Sequence, residues 1–182
     1  MQRRIVAGLF VSADGVVGTP EHWTFSHMTD EVGAVIGGLV AEADTMLLGR
    51  ATYEEFAGYW STQTGPMADA FNGMHKLVAS RTLASADWNN SEVIDGDLVR
   101  RLTELKDTPG RNVNISGSIS VVRALLDAEL LDDLHLMVFP VVLGGGQRLF
   151  PDEGKRVELT LAGTRAFDSG VVHLHYRTGS AA

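Results

Sequence analysis

Apolar positions along the chain follow two rhythms, and each change of rhythm marks an element. Ile5 to Val11 is an unbroken apolar run, the pattern of a strand buried on both faces. Val32, Val35, Ile36, Leu39 and Val40 recur at helical spacing. Thr29 is the predicted N-cap of that helix, with Asp30 and Glu31 in its first turn. Gly33, Gly37 and Gly38 lower its helix propensity but suit close packing on a sheet. Thr45 to Leu48 predicts a second buried strand, Ala51 to about Trp60 a helix, and Gly65-Pro66 a loop. Lys76 to Ala79 predicts a short strand ended by Ser80-Arg81-Thr82, and a weaker strand lies near Val93-Ile94. Asp95 or Asp97 caps a helix that carries Leu98, Leu102 and Leu105 on one face. Asn112 to Ile115 reads as a strand, Ser118 to about Ala128 as a helix, and Leu134 to Val142 as a long strand. Past Gly144-Gly145-Gly146, segments Val157–Phe167 and Val171–Arg177 predict a hairpin through Asp168-Ser169-Gly170. His173 and His175 alternate with Val172, Leu174 and Tyr176, so they are expected to face solvent or a partner on an edge strand.

Strands alternate with helices through residue 142, and a hairpin follows. This order predicts one α/β domain: a mostly parallel central sheet flanked by helices, with an antiparallel C-terminal edge. No internal repeat, low-complexity tract or linker interrupts it, and 182 residues suffice for one sizeable core.

Hydrophobic residues make up 45% and charged residues 21%, the balance of an ordinary soluble domain. The formal net charge of -8 argues against nucleic acid or an anionic membrane as partner, since either needs a basic face. A small anion needs only a few local arginines. The chain has no cysteine, which rules out disulfides and Cys-ligated metal sites. That is compatible with a reducing cytoplasm, the expected location. Arg3-Arg4 followed by an apolar run faintly imitates a signal peptide. The run stops at Ser12-Ala13-Asp14-Gly15 with no small-residue cleavage pattern, so a first strand is the reading. No apolar run approaches the length of a membrane span.

The candidate chemistry begins at Gly49-Arg50-Ala51-Thr52. Arg50 stands at the predicted N-terminal end of a helix, where the dipole is already positive. A cation there makes sense if it helps to hold an anion against the free N–H groups of the first turn. The bland alternative is an ion pair with Glu54 one turn on, in the less favourable order for a helix. Two more strand ends carry phosphate-friendly residues: Ser80-Arg81-Thr82, and Ser116-Gly117-Ser118-Ile119-Ser120 at a helix start. Ligands of an open parallel sheet bind at the carboxyl ends of its strands. Hydroxyls, backbone N–H groups and an arginine fork all suit phosphate oxygens.

Taken together, these segments resemble the dihydrofolate-reductase-like superfamily, and within it the reductase domain of the riboflavin-biosynthesis deaminase/reductase. The resemblance rests on Phe10-Val11-Ser12-Ala13-Asp14-Gly15, Leu48 through Glu54, Lys76 through Leu83, Ile115-Ser116-Gly117-Ser118, and Leu131 through Leu134. It continues through Phe139 to Gly146 and Leu149-Phe150. It implies a dihydrofolate-reductase-like fold and an NADPH cofactor. Gly49, Arg50 and Thr52 would hold phosphates at the helix start. Ser80, Arg81 and Thr82 would meet the adenosine 2′-phosphate, and Ser116, Gly117, Ser118 and Ile119 the pyrophosphate. The family carries two or three glycines where this chain has Ile115-Ser116-Gly117-Ser118, which bears on how closely the backbone meets the pyrophosphate. It also implies a homodimer, formed through the C-terminal strands.

The implied activity is a stand-alone NADPH-dependent reductase acting on a small heterocycle, pterin- or aminopyrimidine-like, with no deaminase half and no metal. Alternatives are a folate-type dihydrofolate reductase and a nucleotide-binding module without turnover. Asp14 and Asp30 are the candidate catalytic carboxylates. The bland alternatives are a turn former before Gly15 for Asp14 and a complement to the helix dipole for Asp30. His22, Trp23 and Trp60 are candidate walls of a flat pocket, and Gly144 to Gly146 a candidate close approach to substrate.

Overall fold

The computed structural model describes residues 3–150 and 153–179. Eight strands form one sheet: β1 (Ile5–Ser12), β2 (Ala43–Gly49), β3 (His75–Ala79), β4 (Ser91–Val93), β5 (Asn112–Ile115), β6 (Asp133–Phe139), β7 (Leu159–Ala166) and β8 (Val172–Thr178). Five α-helices connect them: α1 (Asp30–Ala41), α2 (Arg50–Trp60), α3 (Pro66–Gly73), α4 (Leu98–Lys106) and α5 (Ile119–Asp127). The strand order is β4-β3-β2-β5-β1-β6-β8-β7. The first six strands run parallel. β8 runs antiparallel to β6 and pairs with β7 in the C-terminal hairpin.

The sheet is covered on both faces, as its continuous apolar strands require. On one face Ile5, Ala7, Leu9, Leu47, Val113, Ile115, Leu134 and Leu136 pack with Leu102 and Leu105 of α4 and Val121, Val122 and Leu125 of α5. On the other, Met46, Leu48 and Val78 pack with Val40 of α1, Tyr53 of α2 and Phe71 of α3. Met137 and Phe139 pack on that side with Val32 of α1 and with Phe167 and Val171 of the hairpin. Gly8 lets α1 come close, since a Cβ there would stand 2.9 Å from Leu39 Cδ1.

Four differences from the sequence expectations have physical causes. Helix α3 occupies the segment expected as a loop. Gly65, at φ +111°, makes the entry turn, and Pro66 sits at the first helical position, where its missing N–H costs nothing. β6 ends at Phe139 rather than Val142, because Pro140 has no N–H to give the ladder. β8 is an interior strand between β6 and β7, so His173 and His175 face neighbours across the sheet rather than solvent or a partner at an edge. Thr29 does precede α1, but its side chain makes no capping bond.

Lys76 is fully buried at the start of β3. Its ammonium donates to the carbonyls of Met74 at 2.8 Å and Asn89 at 2.7 Å and lies 4.3 Å from the Trp88 ring centroid. Burial lowers its pKa to about 8. The residue ties the turn before β3 to the turn before β4, at the end of the sheet away from β1.

Candidate functional site

The order of the sheet puts three strand ends side by side. β3, β2 and β5 are consecutive parallel neighbours, so the turns at residues 80–82, 49–52 and 116–119 share one carboxyl edge. At two of them the next residues begin helices α2 and α5. These two helix starts touch. The Gly49 N–H donates to Ser118 Oγ at 2.6 Å. A Cβ on Gly49 would lie 3.2 Å from that oxygen, and one on Gly117 would lie 3.3 Å from Thr52 Cγ2. Gly117 and Ser118 both have left-handed backbones, φ +103° and +62°. Glycine adopts that region freely and serine does so under strain.

The consequence is chemical. Ser118 stands at the N-cap of α5, yet its hydroxyl serves Gly49 and makes no cap bond to its own helix. Gly49 caps α2 and has no side chain to offer. Both helices therefore present first-turn N–H groups without a side-chain acceptor, at the positive ends of two dipoles. Such a pair of termini is suited to the oxygens of an anion.

A cavity of about 590 Å³ opens beside them. Its polar end is Gly49 to Thr52 and Ser116 to Ser120. Its other walls are largely apolar: Met28, Ile36 and Leu39 at and along α1, Phe56 and Trp60 from α2 with the carboxylate of Glu55 beside them, and Met67 and Phe71 from α3. Gly8, Leu9 and Phe10 of β1 and Met137 of β6 form the side toward the sheet. Val17 to Pro20 and Gln147 complete the lining, and the Val17 N–H donates to the Gln147 carbonyl at 2.8 Å.

The cavity thus gathers Gly49, Arg50, Thr52, Ser116, Gly117, Ser118 and Ile119. Arg50 also lies 3.6 Å from Glu54, with both side chains more than half exposed. A pair so exposed is weak and leaves the guanidinium free to turn toward a ligand. Ser80, Arg81 and Thr82 do not line the cavity; they form the turn one strand further along the edge. Ser80 Oγ accepts the N–H groups of Thr82 and Leu83 at 3.2 and 3.0 Å, while Arg81 and Thr82 are exposed.

Neither candidate carboxylate lies in the cavity lining. Asp14 accepts a hydrogen bond from Ser12 Oγ at 2.6 Å and from the N–H groups of Leu143 at 3.1 Å and Gly144 at 2.9 Å. These donors hold its pKa at about 2, well below the usual carboxylate range. A carboxyl ionised through the neutral range has no proton to deliver. Its evident work is to fasten the 143–144 turn to the end of β1. Asp30 is exposed at the first residue of α1. Trp60 lines the cavity, whereas Trp23 packs edge-on against Phe139 and donates to the Gly18 carbonyl at 3.0 Å. His22 is exposed, and Gly144 to Gly146 form an exposed turn beside the cavity lining rather than in it.

The cavity also contains residues that sequence reasoning passed over: Glu55, Phe56, Met67 and Phe71. A signal for the first two exists. Residues three and four positions beyond Thr52 share its helix face.

A second polar cluster lies on β6 and β8. His135 stacks on His175 with centroids 4.0 Å apart and planes 11° apart, and on His173 at 5.1 Å. His135 Nδ1 and His173 Nε2 are 2.9 Å apart, and His175 Nε2 lies 2.7 Å from Asp133 Oδ1. Arg4 pairs with the other Asp133 oxygen at 2.6 Å. One ligand atom each from Asp133, His135 and His175 fall within 4.8 Å of one another. The ring planes are nearly parallel, however, so their nitrogen lone pairs do not converge, and the groups already satisfy one another. Burial, with the neighbouring His175 and His173, pushes the His135 pKa down to about 4.

Comparison with known proteins agrees with this architecture. A family model described as the RibD C-terminal domain matches residues 3–173. The chain belongs to that family. The uncharacterized protein YyaP of Bacillus subtilis (strain 168) is 30% identical over 181 residues, covering 96% of this chain and 95% of that protein. Among solved structures, a Shewanella sp. PV-4 protein assigned to riboflavin biosynthesis superposes with a TM-score of 0.81 at 18% identity, covering 99% and 100% of the two chains. Enterococcus faecalis dihydrofolate reductase complexed with NADP(H) superposes with a TM-score of 0.64 at 18% identity, covering 99% of each chain. The Thermotoga maritima diaminohydroxyphosphoribosylaminopyrimidine deaminase/5-amino-6-(5-phosphoribosylamino)uracil reductase does so at 0.68 and 12% identity. That match covers 98% of this chain and 57% of the Thermotoga chain. The fold is dihydrofolate-reductase-like. No helix among the described residues is long and apolar enough to cross a membrane.

Proposed function

We propose that the protein is an NADPH-dependent reductase that passes a hydride to a small heterocyclic substrate, pterin- or aminopyrimidine-like. One observation carries this reading. Two helix starts, tied together by the Gly49–Ser118 hydrogen bond and lacking side-chain caps, form the polar end of a cavity whose remaining walls are largely apolar. An elongated cofactor with a pyrophosphate and a flat redox-active ring has this distribution of chemistry. The cofactor supplies the hydride; the protein supplies position and electrostatics.

In this reading the first-turn N–H groups of α2 and α5, with Arg50 and Thr52, hold the pyrophosphate oxygens. Gly117 keeps the loop low enough for the two helix starts to meet. Ser80, Arg81 and Thr82, further along the same edge, meet the adenosine 2′-phosphate and set the preference for NADPH over NADH. The apolar stretch toward β1 and Met137 excludes water from the reacting rings, which strengthens every electrostatic contact there. Asp14, held as a carboxylate, acts as a clamp on the 143–144 turn, so the proton that accompanies the hydride comes from elsewhere, with water the simplest source.

The test is a titration of NADPH and NADH against tryptophan fluorescence, for which Trp60 in the cavity wall is the reporter. NADPH is expected to bind more tightly than NADH. Binding of neither nucleotide would remove the reductase reading, and equal binding of both would remove the 2′-phosphate assignment. NADPH oxidation at 340 nm with pterin and aminopyrimidine substrates then distinguishes an enzyme from a binding module.

A further inference from the structure

We infer that the substrate of this reductase carries no phosphate or carboxylate: it is a flat, apolar molecule with an N–H-bearing edge, held in the pouch between α1, α2 and α3 with Glu55 as its hydrogen-bond acceptor. This inference rests on the reductase reading above and narrows its substrate.

The charges of the cavity lining carry it. Among the described residues that line the cavity, Arg50 and Glu55 alone are charged. Arg50 belongs to the first turn of α2, at the end with the uncapped N–H groups and Ser118. Glu55 lies five residues further on, roughly 7.5 Å along the helix axis at 1.5 Å per residue. Around it the walls are Phe56, Trp60, Met67 and Phe71, with Ile36 and Leu39 of α1 opposite. The one cation of the lining therefore stands at one end of the cavity with the joined starts of α2 and α5, and the far end pairs a single carboxylate with aromatic and aliphatic surface.

A phosphate entering that far end would lose its water, find no cation to replace it, and face Glu55. A neutral or cationic ring would instead bury its faces against Trp60 and Phe71 and direct N–H donors to the carboxylate, an interaction strengthened by the charge on the acceptor. The Thermotoga reductase is named for a phosphoribosyl substrate. This chain shares its fold, but the far end of its cavity has the wrong chemistry for such a group.

The experiment uses two probes that differ by one phosphate group: 2,4-diamino-5-phenylpyrimidine and the same molecule bearing a phosphate on its phenyl ring. Each is titrated by calorimetry against the native protein saturated with NADP. The neutral probe is expected to bind at least tenfold more tightly. Glu55→Gln should weaken the neutral probe severalfold, and Glu55→Lys should narrow or reverse the preference. Glu55 is exposed on α2, so NADPH binding by fluorescence serves as the folding control for both variants. Tighter or equal binding of the phosphorylated probe, or failure of the neutral probe to bind, overturns the inference. So does phosphorylated-probe binding that is lost in Arg50→Ala, because Arg50 would then serve the substrate. If NADPH itself fails to bind, the reductase reading has failed; the same probe pair titrated against the protein alone still decides the charge preference of the pouch.

Discussion

The Gly49 N–H and the Ser118 hydroxyl meet at 2.6 Å across two neighbouring strand ends, and that bond commits the capping oxygen of one helix to the start of another. Two substitutions separate its parts. Ser118→Ala deletes the acceptor and keeps a non-glycine residue at φ +62°. The lost hydrogen bond is worth about 1 kcal/mol. Ser118→Gly loses the same bond but relieves left-handed strain of about 1–2 kcal/mol. In urea unfolding the alanine variant should be clearly less stable than native, and the glycine variant close to it. Both should bind NADPH several-fold more weakly, because each lets the two helix starts part. Native-like NADPH affinity in both variants would mean that the junction is structural only.

Arg81 and Arg50 should differ in what they discriminate. Arg81 is exposed in the turn after β3, outside the cavity, where only an extension of the cofactor would reach it. Charge-assisted hydrogen bonds contribute about 1.5–3 kcal/mol. Arg81→Ala should therefore reduce NADPH affinity roughly ten- to a hundredfold while leaving NADH nearly unchanged. Arg50→Ala, at the proposed pyrophosphate site, should weaken both nucleotides alike. Fluorescence titration of the two variants with both nucleotides checks this, and an equal loss of both nucleotides in Arg81→Ala would count against the assignment.

The parts of this fold that were legible in the sequence are those governed by local rules. Ile5 to Val11 could hardly be anything but a doubly covered strand, and Gly49 breaking an apolar run before Arg50 announced a strand-to-helix turn. Helix α3 was hidden because Pro66 both ends loops and begins helices, and only the left-handed Gly65 before it decides which. The interior position of β8 was hidden because alternation of His173 and His175 with apolar residues says that two faces differ, not what lies across from each. The partners of Asp14 were invisible for the same reason. Leu143 and Gly144 return to it across 129 and 130 residues, and no spacing encodes that. The apolar pouch was equally hidden, since Phe56 and Phe71 have the same pattern whether they fill a core or line a cavity.

Asp14 should register in acid unfolding. Its pKa falls from 3.8 to about 2 on folding, chiefly through Ser12 and then through Leu143 and Gly144. The unfolded state therefore binds more protons across that interval, so stability from this group is fully present above about pH 4 and is lost as the pH drops toward 2. Asp14→Asn cannot titrate. Native protein and variant should differ in thermal midpoint at pH 5 and above, and the two midpoints should converge as the pH approaches 2. Turnover by the variant, measured as NADPH oxidation, should show the same pH profile between 6 and 8 as the native enzyme. A missing limb in that profile would restore Asp14 as a proton-transfer group.

The histidine cluster predicts a second acid sensitivity, nearer neutrality. His135 is nearly buried between His173 and His175, and its pKa drops from 6.5 to about 4. Burial is the main cause. The facing His175 and His173 reinforce it, Asp133 opposes it, and Arg4 adds a little. The His173 pKa is lowered as well, first by burial. For an imidazole held neutral in the fold, the unfolded chain takes up protons first. Stability is then greatest above 6.5 and declines as the pH falls from 6.5 toward 4. This window lies mostly above the range in which carboxylates titrate, so it can be observed separately. Thermal midpoints at pH 7, 6 and 5 should fall steadily for the native protein. In His135→Phe, which keeps a ring in the stack and removes the titrating group, the decline should be shallower, with a residual slope from His173. A native midpoint that stays level from pH 7 to 5 would mean that His135 is not held neutral in the folded state.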